Sequence, residues 1–97
     1  MAAIDFTATA RRDIINAMAW EEERGEGLGK RMLQYVVERL IALSVTPALG
    51  TVRYGDTRGT NTRKFQYQIH YRHDEPADVV TILRVLHTSR NPVWKPS

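Results

Sequence analysis

Cysteine is absent from the 97 residues, which excludes disulfide frameworks and thiolate metal sites and fits a reducing, cytoplasmic setting. No uninterrupted apolar run exceeds four residues, as in Ala17 to Trp20 and Leu40 to Leu43, so neither a membrane span nor a secretory leader is expected. Nucleotide-binding signatures are missing too. The glycines of Gly25-Glu-Gly-Leu-Gly29 lie between two helical patterns, not after a strand, and make no phosphate cradle. The histidines lack ligand spacing on a helix, and no metal or other cofactor is expected. Glu21, Glu22 and Glu23 are successive on a helix, where neighbours do not face one another, so they read as a solvated helix end rather than a carboxylate pair.

The length suits a single domain over residues 1–97, burying about 60–70% of the unfolded chain's surface. The net charge of +3 conceals an asymmetry: the first 50 residues balance at −1, and residues 51–97 carry +4 through Arg53, Arg58, Arg63, Lys64, Arg72, Arg84, Arg90 and Lys95. Positive potential concentrated in one half steers anionic partners toward it.

Ala3 to Phe6 reads as a short edge strand, with Thr7 an N-cap for the helix that follows. From Ala8 to Arg24 an apolar stripe runs through Ala10, Ile14, Ala17 and Met18, with Arg11, Arg12, Asn16, Glu22 and Glu23 facing water. A second helix over Leu28 to Ser44 is patterned by Leu33, Val36, Val37, Leu40 and Ile41, and the short glycine connection makes the pair an antiparallel hairpin. Pro47 stops it. Beyond Pro47 the period becomes strand-like. Thr57 to Lys64 is a polar strand; Gln66 to His73 alternates Tyr67, Ile69 and Tyr71 against Gln66, Gln68, His70 and Arg72; Asp74 to Asp78 is a hairpin loop; Val79 to Leu86 is a central strand. The expected architecture is α+β: an N-terminal edge strand, an antiparallel helical hairpin, then a three-stranded antiparallel meander with helices on one face.

Three stretches carry a family resemblance. They are Trp20 to Gly29 with Met32-Leu33; Tyr54-Gly-Asp-Thr-Arg58 with Arg63-Lys-Phe-Gln-Tyr67, Ile69 and Tyr71-Arg72; and Ile82-Leu-Arg-Val-Leu-His87 with Arg90-Asn-Pro92 and Trp94. Together and in order they resemble the RelE/ParE superfamily of type II toxin–antitoxin toxins, closest to its ParE-like, plasmid-stabilisation branch. One departure is Gln66, where that branch commonly has proline. The resemblance implies a cytoplasmic growth-inhibiting toxin held inactive by a cognate antitoxin, acting without cofactor on DNA gyrase, or alternatively on mRNA in the ribosome, or surviving only as an inactive antitoxin binder.

Metal-free ribonuclease chemistry would need a base, an acid and cations for the phosphorane charge. His87 is the proton-transfer candidate, with His70 and His73 in reserve, and Arg58, Arg63, Lys64, Arg72 and Arg90 are candidate contacts to phosphate or target. The resemblance weighs against cleavage: RelE-like nucleases carry a tyrosine or a denser lysine cluster near the chain end, and here Lys95 stands alone with no tyrosine after Tyr71. Trp94 and Pro92 are expected to anchor the tail, Trp20 to face core or antitoxin, and Arg84, placed on one face with Val80, Ile82 and Leu86, to need an ion-pair partner.

Overall fold

A computed structural model describes residues 1–90 and Trp94. The elements run β1 (Ala3–Phe6), α1 (Ala8–Arg24), α2 (Leu28–Val45), a single 3-10 turn (Pro47–Leu49), β2 (Thr51–Tyr54), β3 (Thr57–Asn61), β4 (Tyr67–Asp74) and β5 (Val79–His87). The helical hairpin covers one face of a five-stranded sheet ordered β1-β5-β4-β3-β2. The expected three-stranded meander is a four-stranded one, because Thr51–Tyr54 adds an outer strand against β3. The residues of β2, Thr51-Val-Arg-Tyr54, do alternate, but the run is only four residues long and exposed throughout, at the lower limit of what alternation can signal. The sheet is mixed: β1 pairs parallel with β5, and the other pairings are antiparallel.

Local chemistry sets the helix ends. The Thr7 hydroxyl accepts the Ala10 N–H at 3.0 Å and donates to the Leu83 carbonyl at 3.1 Å, capping α1 while tying it to β5. Gly27, at φ +84°, turns the chain into α2 in a conformation that favours glycine. The α2 N-terminus is capped from the other helix: the Glu22 carboxylate accepts the N–H groups of Gly27 (2.9 Å) and Gly29 (3.1 Å), which holds its pKa below the ordinary carboxylate value. At Gly29 the helices touch backbone to backbone, since a Cβ there would lie 2.6 Å from the Met18 carbonyl oxygen.

The core lies between hairpin and sheet. Met32, Val36 and Leu43 meet Tyr67, Ile69, Tyr71, Val80, Ile82 and Val85, each large aliphatic side chain contributing about 1.5–3 kcal/mol by leaving water. Tyr67, Ile69 and Tyr71 do share the buried face. The α2 stripe is rotated from expectation: Val37 and Ile41 are exposed, and Met32 and Leu43 take the inward positions. The polar strand ends at Asn61 rather than Lys64, and β4 begins at Tyr67 rather than Gln66, because Phe65 (φ 72°) and Gln66 (φ 56°) adopt left-handed backbone. Tyr71 closes the far end, its hydroxyl accepting the Gly50 N–H (2.8 Å) and donating to the Pro47 carbonyl (2.7 Å).

Arg84 also departs from expectation. The β4–β5 register pairs His70 with Arg84 but Tyr71 with Ile82, leaving Leu83 as an extra residue. This bulge reverses the alternation, so Arg84 shares the outer face with His70 instead of the inner face with Val80 and Ile82. The guanidinium then reaches round the edge of β5 to the Asp13 carboxylate (2.7 and 3.1 Å), which also accepts the Val85 N–H at 3.0 Å. Asp13 thereby covers the β5 edge where β1 stops pairing at Phe6↔Ile82.

Candidate functional site

One end of the sheet gathers the C-terminal turns of α1, the start of β4, the end of β5 and the turn after it. Glu21, expected in solvent, is 1% exposed. It lies four residues after Ala17 and seven after Ile14, on the stripe that packs inward. Tyr67 is brought opposite by the left-handed pair Phe65–Gln66 and by Thr62, whose hydroxyl accepts the Tyr67 N–H at 3.2 Å and donates to the Lys64 carbonyl at 2.6 Å.

A chain of polar contacts follows. The Tyr67 hydroxyl donates to Glu21 Oε2 at 2.8 Å and accepts from Arg90 Nη2 at 2.8 Å. Arg24 pairs with the other Glu21 oxygen at 3.4 Å. Burial, and then the bond to Glu21, push the Tyr67 pKa up, so the phenol stays protonated. The Arg90 guanidinium lies 4.3 Å from the centre of the Trp20 ring and 5.7 Å from that of Tyr67.

His87 stands edge-on to Tyr67, ring centres 5.2 Å apart. Its Nδ1 accepts the backbone N–H of Ser89 (3.1 Å) and of Arg90 (3.4 Å), so the proton of the neutral ring belongs on Nε2. Burial, and then the Arg90 charge, lower its pKa. The ring separates two shallow clefts. One, of about 250 Å³, includes Asn16, Trp20, Arg84 and Arg90; the other, of about 260 Å³, includes Glu21, Arg24 and Phe65.

The remaining candidates do not converge there. Arg63 forms a two-point pair with Glu38 of α2 (3.0 and 3.2 Å) and lies over Tyr35. Arg72 pairs with Asp56 at 3.0 Å at the opposite end of the sheet. Arg58 donates to the Gly50 carbonyl at 2.8 Å. Lys64 is exposed in the β3–β4 connection. His73 meets Asp78 at 3.0 Å. On the outer face, Trp94 packs against His70 with ring centres 4.7 Å apart and planes tilted by 55°, 6.0 Å from the Arg84 guanidinium. Pro92 and Lys95 lie outside the described residues. Among the described residues no group of three or more potential ligands could hold a metal ion, and no helix is long and apolar enough to cross a membrane.

Sequence reasoning brought Trp20, His87 and Arg90 forward and missed Glu21, and it took Tyr67 for core alone. The signal for Glu21 was its place on the stripe. Nothing in the pattern signalled that Tyr67 would turn its hydroxyl to a carboxylate from another element.

The model of a protein family described as the ParE toxin of the type II toxin–antitoxin system, parDE, matches residues 4–92. The chain belongs to this family. Among solved structures, a chain of the RelBE2 toxin–antitoxin complex from Mycobacterium tuberculosis is 33% identical, with 89% of this chain and 96% of that one covered and a TM-score of 0.66. A chain of the chromosomal ParDE system of P. aeruginosa is 16% identical over 90% and 96%, with a TM-score of 0.76. One from the intact E. coli RelBE complex is 16% identical over 88% and 94%, with a TM-score of 0.64; these last two show the fold. No curated protein matches at a significant level. The ParE-family chain is thus a type II toxin–antitoxin toxin of RelE/ParE architecture.

Proposed function

We propose that this ParE-family toxin arrests growth in the cytoplasm by binding DNA gyrase rather than by cutting RNA, and that a cognate antitoxin neutralises it. The observation carrying this reading is the state of His87. A general base needs a free lone pair, and the Nδ1 lone pair of His87 already accepts the Ser89 and Arg90 amides. The other proton carrier nearby, Tyr67, is committed to Glu21 and Arg90. Arg63 and Arg72 are paired with Glu38 and Asp56, and of the candidate phosphate cations Arg90 alone is found in a cleft with this ring, so base, acid and a set of phosphate cations do not surround one point. The same end of the molecule offers aromatic and guanidinium surface, which suits contact with a protein. An antitoxin partner is supported by the ParDE and RelBE neighbours, which are toxin–antitoxin systems or complexes.

The test is induced expression of the toxin alone, with purified gyrase assayed in parallel. Growth arrest with an SOS response and inhibited supercoiling is expected. Rapid translational arrest with cleaved transcripts and unaffected supercoiling would replace this reading with the ribosome-dependent nuclease.

A further inference from the structure

We infer that Trp20 and Arg90 form a preassembled anchor that docks a carboxylate-bearing segment of the protein target, with Glu21 and Tyr67 as the residues that position it. This rests on the protein-target reading above and names the surface through which it would act. Trp20 is 45% exposed, an unusual cost for an indole at the end of a helix. Arg90, also exposed, is nevertheless held at three points: the Trp20 ring at 4.3 Å, the Tyr67 ring at 5.7 Å and the Tyr67 hydroxyl at 2.8 Å. That hydroxyl is fixed in turn by the buried Glu21 carboxylate. A guanidinium fork has more donors than this single bond engages, and the rest suit a carboxylate.

Charge decides the chemistry of the occupant. Asp13, at the rim of the same cleft, is spent on Arg84 and the Val85 N–H. Glu21 is buried behind Tyr67. Arg84 is paired with Asp13 and Arg24 with Glu21, so the guanidinium at this end without a carboxylate partner among the described residues is that of Arg90. An acidic segment is matched by that sign, and an apolar side chain beside its carboxylate would enter the cleft of about 250 Å³ between Trp20 and Leu86. Trp, Tyr and Arg are the residues that dominate protein interfaces when clustered beside a cleft. A stack already formed in the free protein loses less entropy on binding than separate side chains would.

The test compares wild type with Arg90→Ala, Arg90→Glu, Arg90→Lys, Trp20→Phe and Tyr67→Phe, each checked for an unchanged circular dichroism spectrum. Readouts are growth arrest on induction and the concentration giving half-inhibition of purified gyrase. Arg90→Ala should raise that concentration about tenfold or more, the loss expected of an anchor. Arg90→Glu should abolish arrest, and Arg90→Lys should recover only part, because an ammonium keeps the charge without the fork. Trp20→Phe should retain most of the effect. Tyr67→Phe should weaken inhibition although no contact surface is lost. Folded Arg90→Glu protein that still arrests growth would overturn the anchor, as would full activity of Arg90→Lys. Variants that stay toxic but escape the antitoxin would also overturn it, assigning the cleft to neutralisation. Wild-type arrest without gyrase inhibition sinks the topoisomerase reading instead, and arrest by the Arg90 variants still judges the anchor.

Discussion

His70 offers the sharpest test of the packing. The ring is 6% exposed, beneath Trp94, and its Nδ1 has no hydrogen-bond partner among the described residues. Burial, then the charges of Arg53 and Arg84, lower its pKa from 6.5 to about 4, with Asp13 opposing. A depressed histidine pKa means that between these values the unfolded chain binds a proton that the native protein refuses. Its contribution is therefore fully present above the unfolded pKa and is lost as pH falls toward the folded one. The shift corresponds to a loss of about 2 kcal/mol by pH 5 and about 3 kcal/mol by pH 4. His70→Phe keeps a ring beneath Trp94 and removes the titration. Urea unfolding of both proteins from pH 8 to pH 4 should show the wild type losing that much more stability than the variant. The common contributions of Glu22, Glu38 and His87 cancel in the comparison. A difference that stays flat through this window would mean that the imidazole titrates as it does in the unfolded chain, and the account of Trp94 as its cover would be refuted.

Asp13→Ala should cost about 2–4 kcal/mol in urea denaturation, since it leaves the Arg84 guanidinium unpaired and the Val85 N–H without an acceptor. Asp13→Asn, which keeps an acceptor for that amide, should cost roughly half as much, and a loss under about 0.5 kcal/mol for the alanine variant would contradict the pairing. Gly29→Ala should lower stability by about 1–3 kcal/mol in thermal unfolding, because its Cβ meets the Met18 carbonyl oxygen at 2.6 Å and the two helices must part. An unchanged melt would show that the hairpin is looser than described.

Much of the architecture was open to inspection in the chain. The Thr7 cap, both helices, the alternation through Tyr67, Ile69 and Tyr71 and the hairpin turn before Val79 are local signals, each written in residues a few positions apart. The turn itself is Glu75 to Asp78, one residue shorter than expected, because Asp74 still pairs with Val79 in β4. β2 escaped because its alternation spans only the four residues Thr51 to Tyr54, an edge strand that buries none of them. The end of the polar strand at Asn61 escaped because left-handed backbone at Phe65 and Gln66, neither of them glycine, is imposed by the surrounding contacts of Thr62 and Tyr67. Arg84 was assigned to the wrong face because a period of two assumes an unbroken ladder, and the bulge at Leu83 is a property of two paired strands, not of either one.

The sequence alone determined the family and the α+β class of the fold, and it put Trp20, His87 and Arg90 forward as candidates, because periodicity and ordered motifs survive without knowledge of contacts. Only the tertiary structure decided which charges remain available. Arg63, Arg72 and Arg84 each find a carboxylate 16 to 71 positions away in the chain, and Glu21 reaches a phenol across the same kind of distance. A count of cations could not distinguish them from Arg90, whose partners are aromatic rings and a hydroxyl. Pairing depends on proximity in space, and proximity between distant residues exists only once helices and sheet have packed.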